Sequence, residues 1–482
     1  MNLKVISRNV GIALLVSSLF MLLSVFVSLA NGRDSGLTPL LISFSLTFTV
    51  GVFPFIFVRN TERITLKDGY MIIFLSWLLA FIFGMLPYAL WGGPFTLVNA
   101  WFESVSGFTT TGATILEDIE ALPRSLLFWR ASTHFIGGLG VVVFLLLIIP
   151  NSSPVRLRLT NMELSSLSRD DYRSRANKTV FIFAYVYLGI YVLAFISYLV
   201  AGMPLFDAAC HAFSVCATGG FSSRNLSIGS FNSDLISSIT IVFMFLASVH
   251  FGLIFMALVN RTFRPLKNPI LKFYVAGLAI ATIFTSTSLK LQGVDATWPR
   301  AFLDGTFHVV SYATTTGFAI SDNANWPMLP CFILIVCSLI CGCAGSTTGG
   351  LKMDRVIVLL KAIRMQIVKN LYPSTMFEVR IAKKMLHDEE IYPQVLYICL
   401  FFLLIGISSA LCILLGDPNQ HALLGSVASL ANVGPSLGSI GSFGNYNAEP
   451  VALKIIFTFD MFFGRVEIYP VFAVFASIFH RR

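Results

Sequence analysis

Charge is scarce in this 482-residue chain: Asp, Glu, Lys and Arg make up 12% of it, about half the share in an average soluble protein. At 56% hydrophobic, with mean hydropathy +0.80, it lacks the polar surface of a soluble fold. Cysteine pairs are missing too. No C-x-x-C occurs among the eight cysteines, Cys341-x-Cys343 is not a zinc-ligand spacing, and nearly all lie in apolar stretches as small buried hydrophobes. The seven histidines include no i,i+4 pair, so haem and zinc sites are unsupported. No G-x-S-x-G elbow supports a hydrolase, although Ser106 or Ser346 with His134 remains a remote intramembrane alternative. "GSTTGGLK" at 345–352 approaches a P-loop, but Leu351 precedes Lys352, Met353 follows it, and no strand leads in. No nucleotide site and no covalently bound cofactor are expected in this chain.

What the chain has in abundance is apolar length. Ten candidate spans fall at about 10–30, 37–58, 70–91, 126–150, 179–201, 235–260, 270–289, 326–349, 392–415 and 452–479. Each approaches the roughly 20 residues a bilayer demands. Lys4 and Arg8 with Ser28 and Ala30 imitate a signal peptide, but Val10 to Ala30 is longer than the usual apolar core and reads as a retained first helix. The expectation is an all-α polytopic membrane protein. With the N-terminus inside, 25 of the 33 Lys and Arg residues fall in inner loops, among them Arg59, Arg63, Arg156, Arg158, Arg169, Arg173, Arg175, Lys352, Arg355, Arg481 and Arg482. That bias orients the chain. It also accounts for the net charge of +9 by an anionic membrane surface, without nucleic acid.

Four shorter segments, at about 97–109, 204–216, 301–314 and 420–431, are too short to cross and read as re-entrant half-helices on the outer side. Each is followed by a polar, glycine-containing stretch: "TTTGAT", "ATGGFS", "TTTGFA" and "NVGPSLG". Aligned on Gly112, Gly219, Gly317 and Gly434, they divide the chain into units of helix, re-entrant loop and helix. The boundaries are 1–68 for an extra N-terminal pair of helices, then 69–178, 179–269, 270–391 and 392–482.

Non-helical backbone at membrane depth is tolerated only when it is buried in protein or lines water. Four such loops on one face can meet at one axis and offer carbonyl oxygens to an ion, as potassium-channel filters do. The triplets before the turn are Thr110-Thr111-Gly112, Ala217-Thr218-Gly219, Thr315-Thr316-Gly317 and Asn432-Val433-Gly434. Glycine reaches φ > 0 and a threonine hydroxyl adds oxygen or ties the strand down. None carries full charge, which suits a weakly hydrated monovalent cation better than Mg²⁺. The half-helix C-termini face the filter and favour cations by up to ~1 kcal/mol each. Glu103, Glu117, Asp118, Glu120, Asp207, Asp304 and Asp322 are either cation-gathering acids at the mouth or ordinary solvated charges. A single "TTTG" reads as a helix cap; four glycine stretches in the same slot read as a pore.

The stretches "SGFTTTGAT", "SVCATGGFS", "SYATTTGFA", "SLANVGPSLG", "GCAGSTTGGLKMDR" and "MFFGRVEIYP" together resemble the Trk/Ktr/HKT superfamily of cation transporters, most closely its bacterial TrkH type, over roughly the whole chain. The resemblance implies four non-identical units around one pore and K⁺ as the transported substrate, with Na⁺ and Rb⁺ as further candidates. Members with Ser for the first filter glycine favour Na⁺, and Gly112 points to K⁺. It implies a bacterial inner-membrane protein with a cytoplasmic N-terminus, a homodimer, and a cytoplasmic TrkA-type nucleotide-binding ring.

By the same resemblance, Gly342, Cys343, Ala344, Gly345, Ser346, Thr347, Thr348, Gly349 and Gly350 form a gate loop that obstructs the path. The alternative for this helix-poor run is a packing notch. Arg465, inside an apolar span, points into the pore beside that loop; otherwise it pairs with Glu467 or Asp460. His134 reads as a packed histidine, and His250 has no sequence rationale. The few intramembrane acids, chiefly Asp460 and Glu467, leave K⁺ symport with H⁺ or Na⁺ as the main rival to a channel.

Overall fold

A computed structural model describes residues 2–58, 65–148, 176–372, 379–381, 384–417 and 421–479. The expected inner-loop cations Arg59, Arg63, Arg156, Arg158, Arg169, Arg173, Arg175, Lys383, Arg481 and Arg482 lie outside the described residues.

The chain begins with a helical hairpin, α1 (Leu3–Ala30) and α2 (Leu37–Phe57). The Asn2 side chain caps α1, and Gly11 lets the two helices touch: a Cβ there would stand 2.7 Å from the Gly51 carbonyl. Most of the outward face of α2 is exposed apolar surface, including Phe48, Phe53 and Phe57, as a lipid-facing helix requires.

The rest repeats one theme. A long helix is followed by a half-helix, an extended stretch and a second, interrupted helix. The first unit has α3 (Leu66–Gly84) and α4 (Leu86–Trp91), half-helix α5 (Leu97–Phe108) and α6 (Arg124–Ile148). The second has α7 (Ala176–Val200), half-helix α8 (Leu205–Cys216), α9 (Asp234–Ser248) and α10 (Phe251–Val259). In the third, α11 (Pro269–Leu291), half-helix α12 (Trp298–Ala313) and α13 (Met328–Leu339) lead to a loop and α14 (Met353–Leu371). The fourth has α15 (Asp388–Leu414), half-helix α16 (Ala422–Leu430), α17 (Val451–Val466) and α18 (Ile468–Phe479). All four half-helices fall where their apolar length placed them.

The ten expected spans are less uniform than their composition. Among the described residues, six helices are long and apolar enough to cross a bilayer, and a bent pair makes a seventh. The shortfall sits in the second helix of every unit. Gly140 leaves helical geometry inside α6 at φ +61, α9 and α10 meet at 99°, α13 stops at Leu339, and Glu467 breaks α17 from α18 at φ +64. Span 326–349 is therefore a 12-residue helix followed by irregular backbone. A hydropathy run records burial in apolar surroundings and is blind to these breaks.

Candidate pore and the loop beneath it

Each half-helix ends in a cap residue, Thr109, Ala217, Thr314 or Ala431. The next residue swings into the left-handed region: Thr110, Thr218, Thr315 and Asn432 have φ of 53°, 52°, 53° and 56°. For non-glycine residues this costs of order 1–3 kcal/mol each and persists only where the surroundings enforce it. The N–H groups of Thr111, Gly219, Thr316 and Val433 then reach back to the carbonyls of Ser106, Ser214, Ser311 and Ala428, each at 2.9 Å. Two residues past the strained position comes a positive-φ glycine: Gly112 (82°), Gly220 (83°), Gly317 (75°) and Gly434 (87°).

This register corrects the second unit. Its turn glycine is Gly220, and Gly219 stands where Thr111, Thr316 and Val433 stand, while Ala217 is the helix cap equivalent to Thr109. The four tetrads are thus TTTG, ATGG, TTTG and ANVG. A serine six residues before the glycine in "SGFTTTG", "SVCATGG" and "SYATTTG" was the sequence signal for this alignment.

The four loops close on one another in order. A Cβ built on Gly112 would lie 2.1 Å from the Gly219 carbonyl oxygen, one on Gly220 2.0 Å from that of Thr316, one on Gly317 2.4 Å from that of Val433, and one on Gly434 2.3 Å from that of Thr111. Each distance is an overlap, so each loop needs glycine because the next loop's backbone occupies the space a side chain would take. The cycle of contacts returns to its start and encloses a single axis. On the mouth side, one cavity of about 60 Å³ is lined by all four turn glycines, with Glu117, Arg224, Phe443 and Tyr446 among the other lining residues.

The threonine hydroxyls mostly tie the strands to their half-helices and neighbours. Thr111 pairs with Thr109 at 2.8 Å and Thr316 with Thr314 at 2.7 Å, while Asn432 Nδ2 donates to Thr111 Oγ1 at 3.0 Å. The acids offered as cation collectors are largely braces. Glu103 is buried, accepting from Arg130 Nε at 2.6 Å, from the Thr114 hydroxyl and from the Ile115 N–H. Arg130 goes on to donate to the Ser222 carbonyl and lies 3.5 Å over the Phe221 ring, joining loops one and two. Asp207 pairs with Arg224, Asp304 with Arg300, and Asp322 accepts from the Ala324 N–H. Glu117 accepts from Asn447. Hydrogen bonds from Asn225 and the Glu120 N–H hold the exposed Asp118 carboxyl below its usual range, so it is charged at neutral pH.

Beneath the ring lies the loop Gly342–Gly350. Its ends are drawn together by a parallel pair of two-residue strands, β1 (Ile340–Cys341) and β2 (Leu351–Lys352). It touches three units directly. Thr347 Oγ1 donates within 3.2 Å of both the Cys216 and Ala247 carbonyls, the Gly349 N–H donates to Thr315 Oγ1 at 2.9 Å, and a Cβ on Gly349 would meet the Ala431 carbonyl. The Cys343 N–H binds the Ser248 carbonyl, the Ala344 N–H the Asp354 carboxylate at 2.6 Å, and Ser346 pairs with Thr348. Lys352 Nζ donates to the Thr348 carbonyl, and Arg355 is buried, so these two cations belong to the loop's base rather than to a solvated inner loop.

Among the described residues, Arg465 lies beside the loop and the alternative ion pair with Glu467 or Asp460 does not form. Its guanidinium donates to the carbonyls of Thr347 (2.8 Å), Gly137 (2.5 Å) and Gly138 (3.2 Å), linking the fourth unit to the loop and to the first unit. Glu467 instead binds Arg355 at 2.7 Å, over the Tyr397 ring, and Asp460 binds the Ser408 hydroxyl. His250 has a role after all: its Nδ1 accepts from the Gly252 N–H at 3.0 Å and caps α10, and its ring fills the space beside Gly345. His134 stacks on Phe221 at 4.0 Å and meets Ser214. Ser106 and Ser346 donate to backbone carbonyls, so neither makes a nucleophile–base pair with His134 among the described residues.

A helical, polytopic membrane protein whose four re-entrant loops form one closed ring has the architecture of an ion-conducting pore. The family model for TrkH, cation transport protein, matches residues 41–275 and 269–481, and the chain belongs to that family. It is 32% identical to the "Trk system potassium uptake protein TrkH" of Halomonas elongata and 29% identical to that of Escherichia coli K12, each over all of both chains. The crystal structure of the potassium transporter TrkH from Vibrio parahaemolyticus superposes with a TM-score of 0.89 at 27% identity, covering all of both chains.

Proposed function

We propose that the protein carries K⁺ into the bacterial cell across the cytoplasmic membrane, with its N-terminus on the cytoplasmic side. The observation that carries this reading is the closed cycle of four glycine–carbonyl contacts, which leaves neutral backbone oxygens around one axis. Relatives named for potassium uptake support the choice of ion. K⁺ sheds water into the filter, formed by Thr110-Thr111-Gly112, Thr218-Gly219-Gly220, Thr315-Thr316-Gly317 and Asn432-Val433-Gly434. The units 69–178, 179–269, 270–391 and 392–482 each supply one strand. The driving force is the electrochemical gradient, worth about 2.3 kcal/mol per charge per 100 mV.

The loop Gly342–Gly350 and Arg465 act as the gate. Their contacts support this, since the loop sits against loops two, three and four and the guanidinium spans from it to the first unit. A fixed positive charge on the path repels K⁺ until the loop withdraws. A TrkA-type nucleotide-binding ring on the basic inner face of a homodimer controls that withdrawal. One observation favours a coupled variant: Asp460 is a buried carboxyl whose only polar partner among the described residues is Ser408, as an H⁺ or Na⁺ site could be. Currents that reverse at the K⁺ equilibrium potential at every pH and Na⁺ level rule coupling out.

The test is ion flux in liposomes under K⁺, Na⁺ and Rb⁺ gradients, with Gly112→Ser and Gly317→Ser beside the parent. The parent should prefer K⁺ and both variants should lose that preference. A parent without K⁺ flux, or variants with unchanged selectivity, overturns the filter. Arg465→Ala should raise resting uptake severalfold at equal expression, and uptake at the parent level removes Arg465 from the gate.

A further inference from the structure

In the first three loops the strand after the glycine is pinned from its own half-helix. The hydroxyls of Ser106, Ser214 and Ser311 donate to the carbonyls of Ala113, Phe221 and Phe318 at 2.6, 2.7 and 2.6 Å. The fourth half-helix has Ala428 at that place and its strand has Pro435, so this bond has no donor. Two tyrosines take over, Tyr446 from further along the fourth unit and Tyr312 from the third. Tyr446 Oη donates to the Gly434 carbonyl at 2.8 Å, and Tyr312 Oη donates to the Ser436 carbonyl at 2.8 Å.

Both tie the fourth strand to a neighbouring unit, Tyr446 by its packing and Tyr312 by its place in the chain. Tyr446 is buried, its ring lies 5.3 Å from that of Phe102 on the first half-helix, and its N–H binds the Thr114 carbonyl. Tyr312 belongs to the third half-helix, is buried, and accepts from Asn323 Nδ2, which also reaches the Ser436 carbonyl. The fourth strand is thus clamped from both sides of the ring. Among the described residues, the carbonyls of Gly112, Gly220 and Gly317 accept no such bond, so Gly434 has the one turn-glycine carbonyl held by a side chain.

We propose that Tyr446 and Tyr312 are positioning residues that set cation selectivity. This rests on the filter reading above. A carbonyl held by a hydroxyl cannot close inward around an ion smaller than K⁺, and it shares one of its lone pairs. Releasing it lets the least braced strand adapt to Na⁺. The chemistry at stake is discrimination between monovalent cations of different radius at the glycine level of the ring.

The experiment measures K⁺:Na⁺ permeability ratios from reversal potentials in liposomes for the parent, Tyr446→Phe, Tyr312→Phe and Gly317→Ser, each shown to be monodisperse by gel filtration. Each phenylalanine keeps the ring packing and removes the one neutral hydrogen bond to the strand, with the bond from Asn323 also lost at Tyr312, so the ratio should fall about fivefold. A role in packing alone lowers the flux of all ions together and leaves the ratio at the parent value, and that result in either folded variant overturns the proposal. If one variant does not assemble, the other decides. Gly317→Ser separates the two levels: a lost ratio there with parental ratios in the tyrosine variants sinks only the tyrosines, whereas a parental ratio in Gly317→Ser sinks the filter itself.

Discussion

Three residues before the pinning serine, the first half-helix carries Glu103, the second His211 and the third His308; the fourth carries Gly425. Glu103 holds Thr114 and Ile115, His211 meets the Ser222 hydroxyl at 2.8 Å, and His308 meets the Ser321 carbonyl at 3.1 Å. In each case a polar side chain on the half-helix supports the strand leaving the filter. Gly425 supports nothing and instead lets the fourth half-helix press against Phe457, whose ring would stand 2.5 Å from a Cβ there. Loops one to three are therefore braced from their own half-helices, whereas loop four is braced by Tyr446 further along its unit and by Tyr312 of the third unit. Even so, the backbone of all four follows one path through the strained residue and the turn glycine. The geometry that is kept is that of the carbonyls, and the side chains behind them differ from loop to loop.

The comparison breaks most visibly at the glycines. Gly220→Ala should abolish K⁺-selective flux, as the serine variants of the other turn glycines should, because its Cβ meets the Thr316 backbone at 2.0 Å and no second substitution can move that backbone out of the ring. Gly219→Ala meets the His134 ring instead, so Gly219→Ala with His134→Ala should recover flux. Flux measured in vesicles settles which glycine turns the chain, and rescue of Gly220→Ala by His134→Ala would contradict the register.

Next in size is the charged brace. Glu103→Ala strands the Arg130 guanidinium in a buried position between loops one and two, at a cost of about 3–5 kcal/mol. Unfolding in detergent should record it, and a loss under about 1 kcal/mol would make the pair incidental. Ser311→Ala is milder: it leaves the Phe318 carbonyl without its donor, for about 1–3 kcal/mol. The smallest effect belongs to Ala428→Ser, which offers loop four the hydroxyl that the others use. With the tyrosines already in place, stability should change by no more than about 0.5 kcal/mol. A large gain in thermal stability would mean that loop four follows the common plan with one bond missing.

Much of this was legible before any coordinates. The half-helices showed in their length, the pore loops in repeated polar glycine stretches, and the interrupted third unit in "GCAGSTTGG". The misplaced glycine in "ATGGFS" shows where local reading stops. Two adjacent glycines are equally able to take positive φ, so the register shows only when the repeats are compared through the serine six residues before the first three turn glycines, and the Thr316 carbonyl leaves no room for a side chain at Gly220. The same holds for Arg465, whose nearby acids are spoken for by Arg355 and Ser408.

By itself, the sequence determined that the chain lives in a bilayer, that four short helices stop half-way, and that polar, uncharged backbone follows each one. These are consequences of apolar length and of residues that cannot continue a helix without water. Only the tertiary structure decided that the four stretches close into one ring, which glycine faces which carbonyl, and that the carbonyls of Thr347, Gly137 and Gly138 come within reach of Arg465. Such pairings depend on atoms brought together from distant parts of the chain, and no local pattern of residue types encodes which of several chemically adequate partners ends up within 3 Å.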